Sequence, residues 1–252
     1  MTAQSRRIAS PEAFREVFAV SRETADRLAA YAAELKTWQR TINLVSPATL
    51  DDIWSRHFAD SAQLLDLALF RSPRAGAGRE GEDPGAGPAS GPGADPFPNS
   101  GEARRRHDAG RDLPLSGQKN WLDLGSGGGF PGLVLAIMLA ERDPEARMTL
   151  VESDSRKSAF LREVARKAGV AVEIRVERSE NFATHAKSRI WDVITARALA
   201  PLPKLLGLAL PFFSPQTVAL FPKGREATVE VDEAKRRFDF DSQLAPSLTD
   251  PQ

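Results

Sequence analysis

DLGSGGGFPG, residues 123–132, is the stretch from which the fold is read. Asp123, Gly125, Gly127 and Gly129 form an acidic-x-G-x-G-x-G run. It follows a short apolar segment, NWLDLGS, and leads into a helical pattern entered through Pro131. Glycines let a backbone turn sharply and approach a ligand closely. The start of the following helix offers unpaired N–H groups to whatever sits there.

Working outward, strand-like and helix-like segments alternate. MTLVES, AVEIRVE, WDVITARA and TVALFPKG read as four more strands. Helices are expected over 130–139, 155–168, 203–213 and 226–237, with FDFDSQLAP (238–246) as a weak last strand. Such alternation predicts an α/β fold, a doubly wound and mostly parallel sheet of the Rossmann-like kind. Its ligand would lie at the carboxyl ends of the strands. Upstream, a short helix is expected over 11–20. A longer one, capped near Ser21, runs to about residue 40 and carries Leu28, Tyr31, Ala32, Leu35 and Trp38 at helical spacing. After a turn at TINLVSP, a third covers 50–68. Residues 71–118 are rich in Gly, Pro, Ala and charge and bury too little apolar surface to offset ordering entropy. The expected organisation is a helical extension (1–70), a disordered insertion (71–118) and a ligand-binding core (119–252).

Composition narrows the classes. The 252 residues contain no cysteine, which excludes disulfides, thiolate metal sites and cysteine nucleophiles. Lys+Arg and Asp+Glu are equal at 34 each, so RNA contact would depend on local patches or on shape. No apolar run approaches the roughly 20 residues that span a bilayer. A soluble, cytoplasmic, metal-free monomer is expected.

The glycines alone leave two cofactors open. Gly127, Gly129 and Gly132 also satisfy the dinucleotide fingerprint G-x-G-x-x-G, with Glu152 placed to meet a ribose in either reading. Asp123 favours a cationic ligand, such as the ammonium of S-adenosylmethionine, over a pyrophosphate. Phe130–Pro131 crowds the place a pyrophosphate would take. An NAD(P)-dependent oxidoreductase stays as the alternative.

Further segments carry a resemblance. WQRTINLVS (38–46), RHFADS (56–61), LDLGSGGGFPGL (122–133), LVESDSRKSAFLREV (150–164), RSENF (178–182), ITARA (194–198) and PKG (222–224) occur in order. In these the chain resembles the 16S ribosomal RNA guanine-N7 methyltransferases, also called glucose-inhibited division protein B. The resemblance implies S-adenosylmethionine as cofactor, and 16S ribosomal RNA or the small subunit as partner. It implies that Gly125 and Phe130 border the cofactor, that Ser179 and Glu180 meet its adenosine, and that Arg197 is the catalytic residue beside cofactor and substrate. Asn43, Ser46, Arg56, His57 and Lys223 would face the RNA, although Arg56–His57 also reads as a helix-packing motif. The chain departs from the family's pattern in the 71–118 insertion and in ending where a last antiparallel strand is expected. The missing strand leaves room for a non-catalytic ribosome-interaction protein that keeps the cofactor.

Chemistry narrows the target separately. Without cysteine, methylation at pyrimidine carbon 5 is excluded. The Pro-Pro loop common in exocyclic-amine methylation is missing as well. Guanine N7 has a free lone pair, so catalysis reduces to alignment and water exclusion.

Overall fold

The computed structural model describes residues 8–71, 119–186 and 188–249. The Gly/Pro-rich stretch expected to be disordered lies outside them, apart from Arg71 at a helix end.

Five strands form one parallel sheet: β1 (Asn120–Leu124), β2 (Arg147–Val151), β3 (Val172–Arg175), β4 (Val193–Thr195) and β5 (Val218–Leu220). Their order is β3-β2-β1-β4-β5, so the chain reverses direction across the sheet between β1 and β4. Sheets of this order take their ligand at that switch point, outside the strands' carboxyl ends. The register places Asp123 beside Leu150 on β2 and Thr195 on β4.

The central strands β2, β1 and β4 are buried on both faces, as a parallel sheet covered by helices requires. Trp121, Met148, Leu150 and Val193 face one core; Leu122, Leu124, Val151 and Ile194 face the other. The helices are α1 (Pro11–Phe18), α2 (Arg22–Trp38), α3 (Asp60–Arg71), α4 (Gly132–Arg142), α5 (Ser155–Ala168), α6 (Ser179–His185), α7 (Leu202–Ala209) and α8 (Ala227–Lys235). Phe14, Leu28, Tyr31 and Phe58 from the N-terminal segment share one core with Leu133, Ile137 and Phe160 from α4 and α5. The N-terminal helices therefore cover the same sheet face as α4 and α5. Ser21 caps α2 by accepting from the Thr24 N–H at 3.1 Å, and Asp154 caps α5 through the N–H groups of Arg156 and Lys157.

Two sequence expectations change. The helix expected over 50–68 is built in three pieces: a 3-10 turn (Pro47–Asp52), a π-helical turn (Trp54–Ala59) and α3. π-turns rotate the residues that follow them and recur at functional sites; this one carries Arg56 and His57. The strand expected over 238–246 is not formed. Phe238 N–H instead donates to the Ala234 carbonyl at 3.0 Å, extending the end of α8, and its ring lies near Gly207 on α7. Alternation of Phe and Asp there has no strand to pair with.

Candidate functional site

The glycine loop leaves β1 at the switch point. Gly125, Gly127 and Gly129 have φ of 67°, 54° and 89°, in the left-handed region that costs other residues energy. Gly125 and Ser126 donate to the Val151 carbonyl at 2.9 and 3.1 Å, which ties the loop's start to the end of β2. The peptide between Phe130 and Pro131 is cis.

Glu152 follows β2 and is buried. Its Oε2 accepts from the Gly127 N–H at 2.8 Å and its Oε1 from the Asp154 N–H at 2.7 Å. The acid expected to meet a ribose thus also braces the loop. Asp123 is turned inward rather than toward a ligand, because its position in β1 directs it beneath the loop. It is fully buried, and its Oδ1 accepts from the Thr195 hydroxyl at 2.7 Å. Oδ2 has no hydrogen-bond partner among the described residues. Burial lifts the carboxyl to about 6, against the lowering effect of Thr195.

Arg197 leaves the end of β4 on the opposite wall. Its guanidinium lies 5.2 Å from the Phe130 ring centre. Nη1 donates to the Arg56 carbonyl at 3.0 Å and lies 3.5 Å from Asp60 Oδ2; Nη2 donates to His57 Nδ1 at 2.5 Å. Since Arg197 can only donate, Nδ1 accepts and the proton sits on Nε2. Nε2 meets the Thr49 hydroxyl at 2.7 Å, and that hydroxyl donates to the Ser46 carbonyl at 2.7 Å. A single chain of hydrogen bonds therefore runs from Arg197 through His57 and Thr49 to the NLVS loop. Burial, then Arg197 and Arg56, push the imidazole down to about 3, so it stays neutral. Burial also lowers Arg197 from its ordinary value.

Asn43 and Ser46 are exposed on the NLVS loop. The loop lies against the glycine loop: a Cβ on Gly128 would stand 3.0 Å from the Leu44 carbonyl oxygen. Arg56 is exposed beside them. Ser179 and Glu180 begin α6 after β3, the first buried and the second exposed.

Two residues expected to face RNA are turned inward. His57 is buried between Arg197 and Thr49, as the helix-packing reading of its motif anticipates. Lys223 donates to the Ala200 carbonyl at 2.8 Å and pairs with Glu230 at 2.8 Å, so its ammonium clamps the β4 loop to α8. Sequence reading missed Leu199, which occupies the space over Gly125. A Cβ at Gly125 would come within 2.6 Å of its Cδ1. It also missed Asp60, whose Oδ1 accepts from Gln63 at 3.0 Å and from Thr249 at 2.9 Å. Both depend on contacts distant in sequence, and Asp60 alone had a signal, its place in the RHFADS segment.

A glycine loop at the β1/β4 switch point, braced by an acid after β2, defines a Rossmann-like, cofactor-binding α/β fold. The family described as rRNA small subunit methyltransferase G (GidB) matches residues 112–250. A protein named Ribosomal RNA small subunit methyltransferase G from Parvibaculum lavamentivorans is 42% identical over 245 residues, 97% of this chain and 87% of its own length. Proteins of the same name from Methylobacterium sp. (strain 4-46) and Rhodospirillum centenum are each 42% identical, over 92% and 94% of this chain and 86% and 85% of theirs. The chain belongs to this family.

Among the described residues no cluster of three or more His, Cys, Asp or Glu could hold a metal ion. No helix among them is long and apolar enough to cross a membrane.

Proposed function

We propose that this chain is an S-adenosylmethionine-dependent methyltransferase that modifies N7 of a guanine in 16S ribosomal RNA. The observation that carries the proposal is Arg197. It stands over Phe130 at the glycine loop and is bonded to the segment whose NLVS loop and Arg56 face outward. One guanidinium thus joins the two halves where cofactor and base would meet.

The loop fits the cofactor. Outside Gly127 the space is open, with nothing closer than 3.8 Å to a Cβ placed there, so a ligand can approach the backbone. Gly125, Gly127 and Phe130 would line the methionine side. Glu152 keeps acceptor capacity for the ribose beyond its two N–H bonds, and Ser179 and Glu180 would border the adenine. The cofactor supplies an electrophilic methyl group on a sulfonium. The protein's part is to align a guanine N7 with it and keep water out, with no base needed to deprotonate the nucleophile. Arg197 would hold the base edge or a neighbouring phosphate, and Asn43, Ser46 and Arg56 the flanking RNA. The chain acts as a monomer in this reading, in the cytoplasm where its substrate is made, with residues 1–70, 71–118 and 119–252 as its three parts.

The family membership supports a methyltransferase over the dinucleotide-dependent oxidoreductase. Calorimetry tests the cofactor: S-adenosylhomocysteine should bind and NADH should not. Methyl transfer to small subunits and to naked 16S RNA tests the rest, with N7-methylguanosine mapped in RNA from cells with and without the gene. A methyl group on any other atom overturns the N7 assignment. Cofactor binding with no transfer to either substrate favours a non-catalytic ribosome-interaction protein.

A further inference from the structure

The aromatic ring beneath the glycine loop belongs to the N-terminal helices. Tyr31 lies in the middle of α2, is buried, and is the sole tyrosine of the 252 residues. Its ring stacks on Phe130, 5.3 Å between centres at 14°, and meets Phe58 edge-on at 5.2 Å. Its hydroxyl donates to the Gly128 carbonyl. The same hydroxyl fills the place that a side chain on Gly129 would take. On the neighbouring residue, Gly127 donates its N–H to Glu152 at 2.8 Å. Consecutive loop residues are thus held by two separate elements, an acid after β2 and a phenol from α2.

We propose that Tyr31 is a positioning residue for the cofactor loop: its hydroxyl sets the orientation of the Gly128 peptide, so α2 fixes the conformation in which the loop receives S-adenosylmethionine. This rests on reading the glycine loop as the cofactor cradle. A buried polar group aimed at one carbonyl is otherwise hard to explain in this core. Phenylalanine would fill the same aromatic cluster without a hydroxyl to desolvate, and a lone hydrogen bond contributes little to net stability. What the hydroxyl adds is direction, since a glycine-rich backbone has many conformations to choose from. The phenol remains a donor throughout the working pH range, because burial holds its proton well above the ordinary value.

Tyr31→Phe removes the hydroxyl and keeps the ring. Dissociation of S-adenosylhomocysteine from the full chain should weaken about 5- to 10-fold, the effect of one hydrogen bond. KM for S-adenosylmethionine should rise in step while kcat at saturation stays within about twofold, as for a group that acts before the transition state. Amide exchange over residues 126–130 should quicken without cofactor. Phe160→Leu serves as a control: its ring packs on Tyr31 at 6.1 Å, so it loosens the same core and leaves the hydroxyl in place. It should lower Tm and leave binding unchanged. A second measurement needs no substitution by another residue type. With one tyrosine in the chain, 3-fluorotyrosine labels a single site, and its fluorine resonance should move on titration with S-adenosylhomocysteine. Unchanged binding and exchange in Tyr31→Phe, or a fluorine signal indifferent to bound S-adenosylhomocysteine, overturns the proposal. If the wild-type chain itself fails to bind S-adenosylhomocysteine, the cofactor reading falls. Exchange over 126–130 then still decides whether the Tyr31 bond orders the loop.

Discussion

The two walls of the crevice are held by different forces. At the end of β1 the glycine loop rests on buried rings, Tyr31, Phe58 and Phe130, with two polar anchors beneath it. At the end of β4 Arg197 is held by hydrogen bonds to Arg56, Asp60 and His57, of which all but His57 partly meet solvent. Close-packed surfaces resist any change in shape. A hydrogen-bonded side chain at a rim can exchange partners at small net cost. In the proposed function the packed side would receive a cofactor of constant shape and the hydrogen-bonded side a base carried on a large RNA.

The largest effect should come from breaking the rigid wall. Gly129→Ala would drive a methyl group onto the Tyr31 hydroxyl, 3.0 Å from Leu133 Cβ and 3.1 Å from Leu161 Cδ2, at a φ of 89°. It should cost about 3 kcal/mol or more, read as a lowered urea midpoint, and abolish S-adenosylhomocysteine binding. On the adjustable wall, Arg197→Ala should reduce methyl transfer by about 100-fold, equivalent to about 2.7 kcal/mol. Its urea midpoint should stay near that of the wild type. Full activity in that variant would remove Arg197 from the catalytic role.

Titration sharpens the same contrast, because each wall holds one group whose displaced pKa falls in the acid range. Asp123 rises from 3.8 to about 6 in the fold. The folded state holds its proton more tightly, so this contribution is full below pH 3.8 and is lost as pH rises toward 6. His57 falls from 6.5 to about 3. Its contribution is full above pH 6.5 and is lost as pH falls toward 3. Between about pH 4 and 6 the slopes oppose each other, each up to roughly 1.4 kcal/mol per pH unit. These two groups should thus nearly cancel in the wild type. Asp123→Asn should make stability climb with pH over that window, and His57→Gln should make it decline. Denaturation at pH 4, 5 and 6 checks the signs; identical slopes in both variants would refute the pairing.

The smallest change is Gly127→Ala. It shares the left-handed backbone, at 54°, but meets only the Gly125 carbonyl at 3.8 Å. It should cost about 1 kcal/mol in stability. Weaker S-adenosylhomocysteine binding alongside that small loss would mark Gly127 as the cofactor-facing glycine and Gly129 as the one facing the core.

The strand-helix alternation was legible because each element carries its own apolar period. It misled once, at FDFDSQLAP, where the period-two pattern was present and a neighbouring strand was not. Phe238 found α7 instead. The glycine loop and Glu152 could be read as a ligand site because their residue types and strand-end positions are unusual together, whereas Arg197 stood out only through the resemblance carried by ITARA. Tyr31 could not, since on the apolar face of α2 it looks like any core aromatic. Nor could the inward turn of Lys223 and His57, which depends on Ala200, Glu230, Thr49 and Arg197 arriving from elsewhere.

The sequence by itself determined the parallel α/β sheet, the cofactor loop and the family, because these rest on local periodicity and short runs of residues. Only the tertiary structure decided which polar groups face the crevice and which hold it together. Direction of a side chain follows from contacts between segments as far apart as residues 31 and 128, or 57 and 197, and no local pattern encodes those.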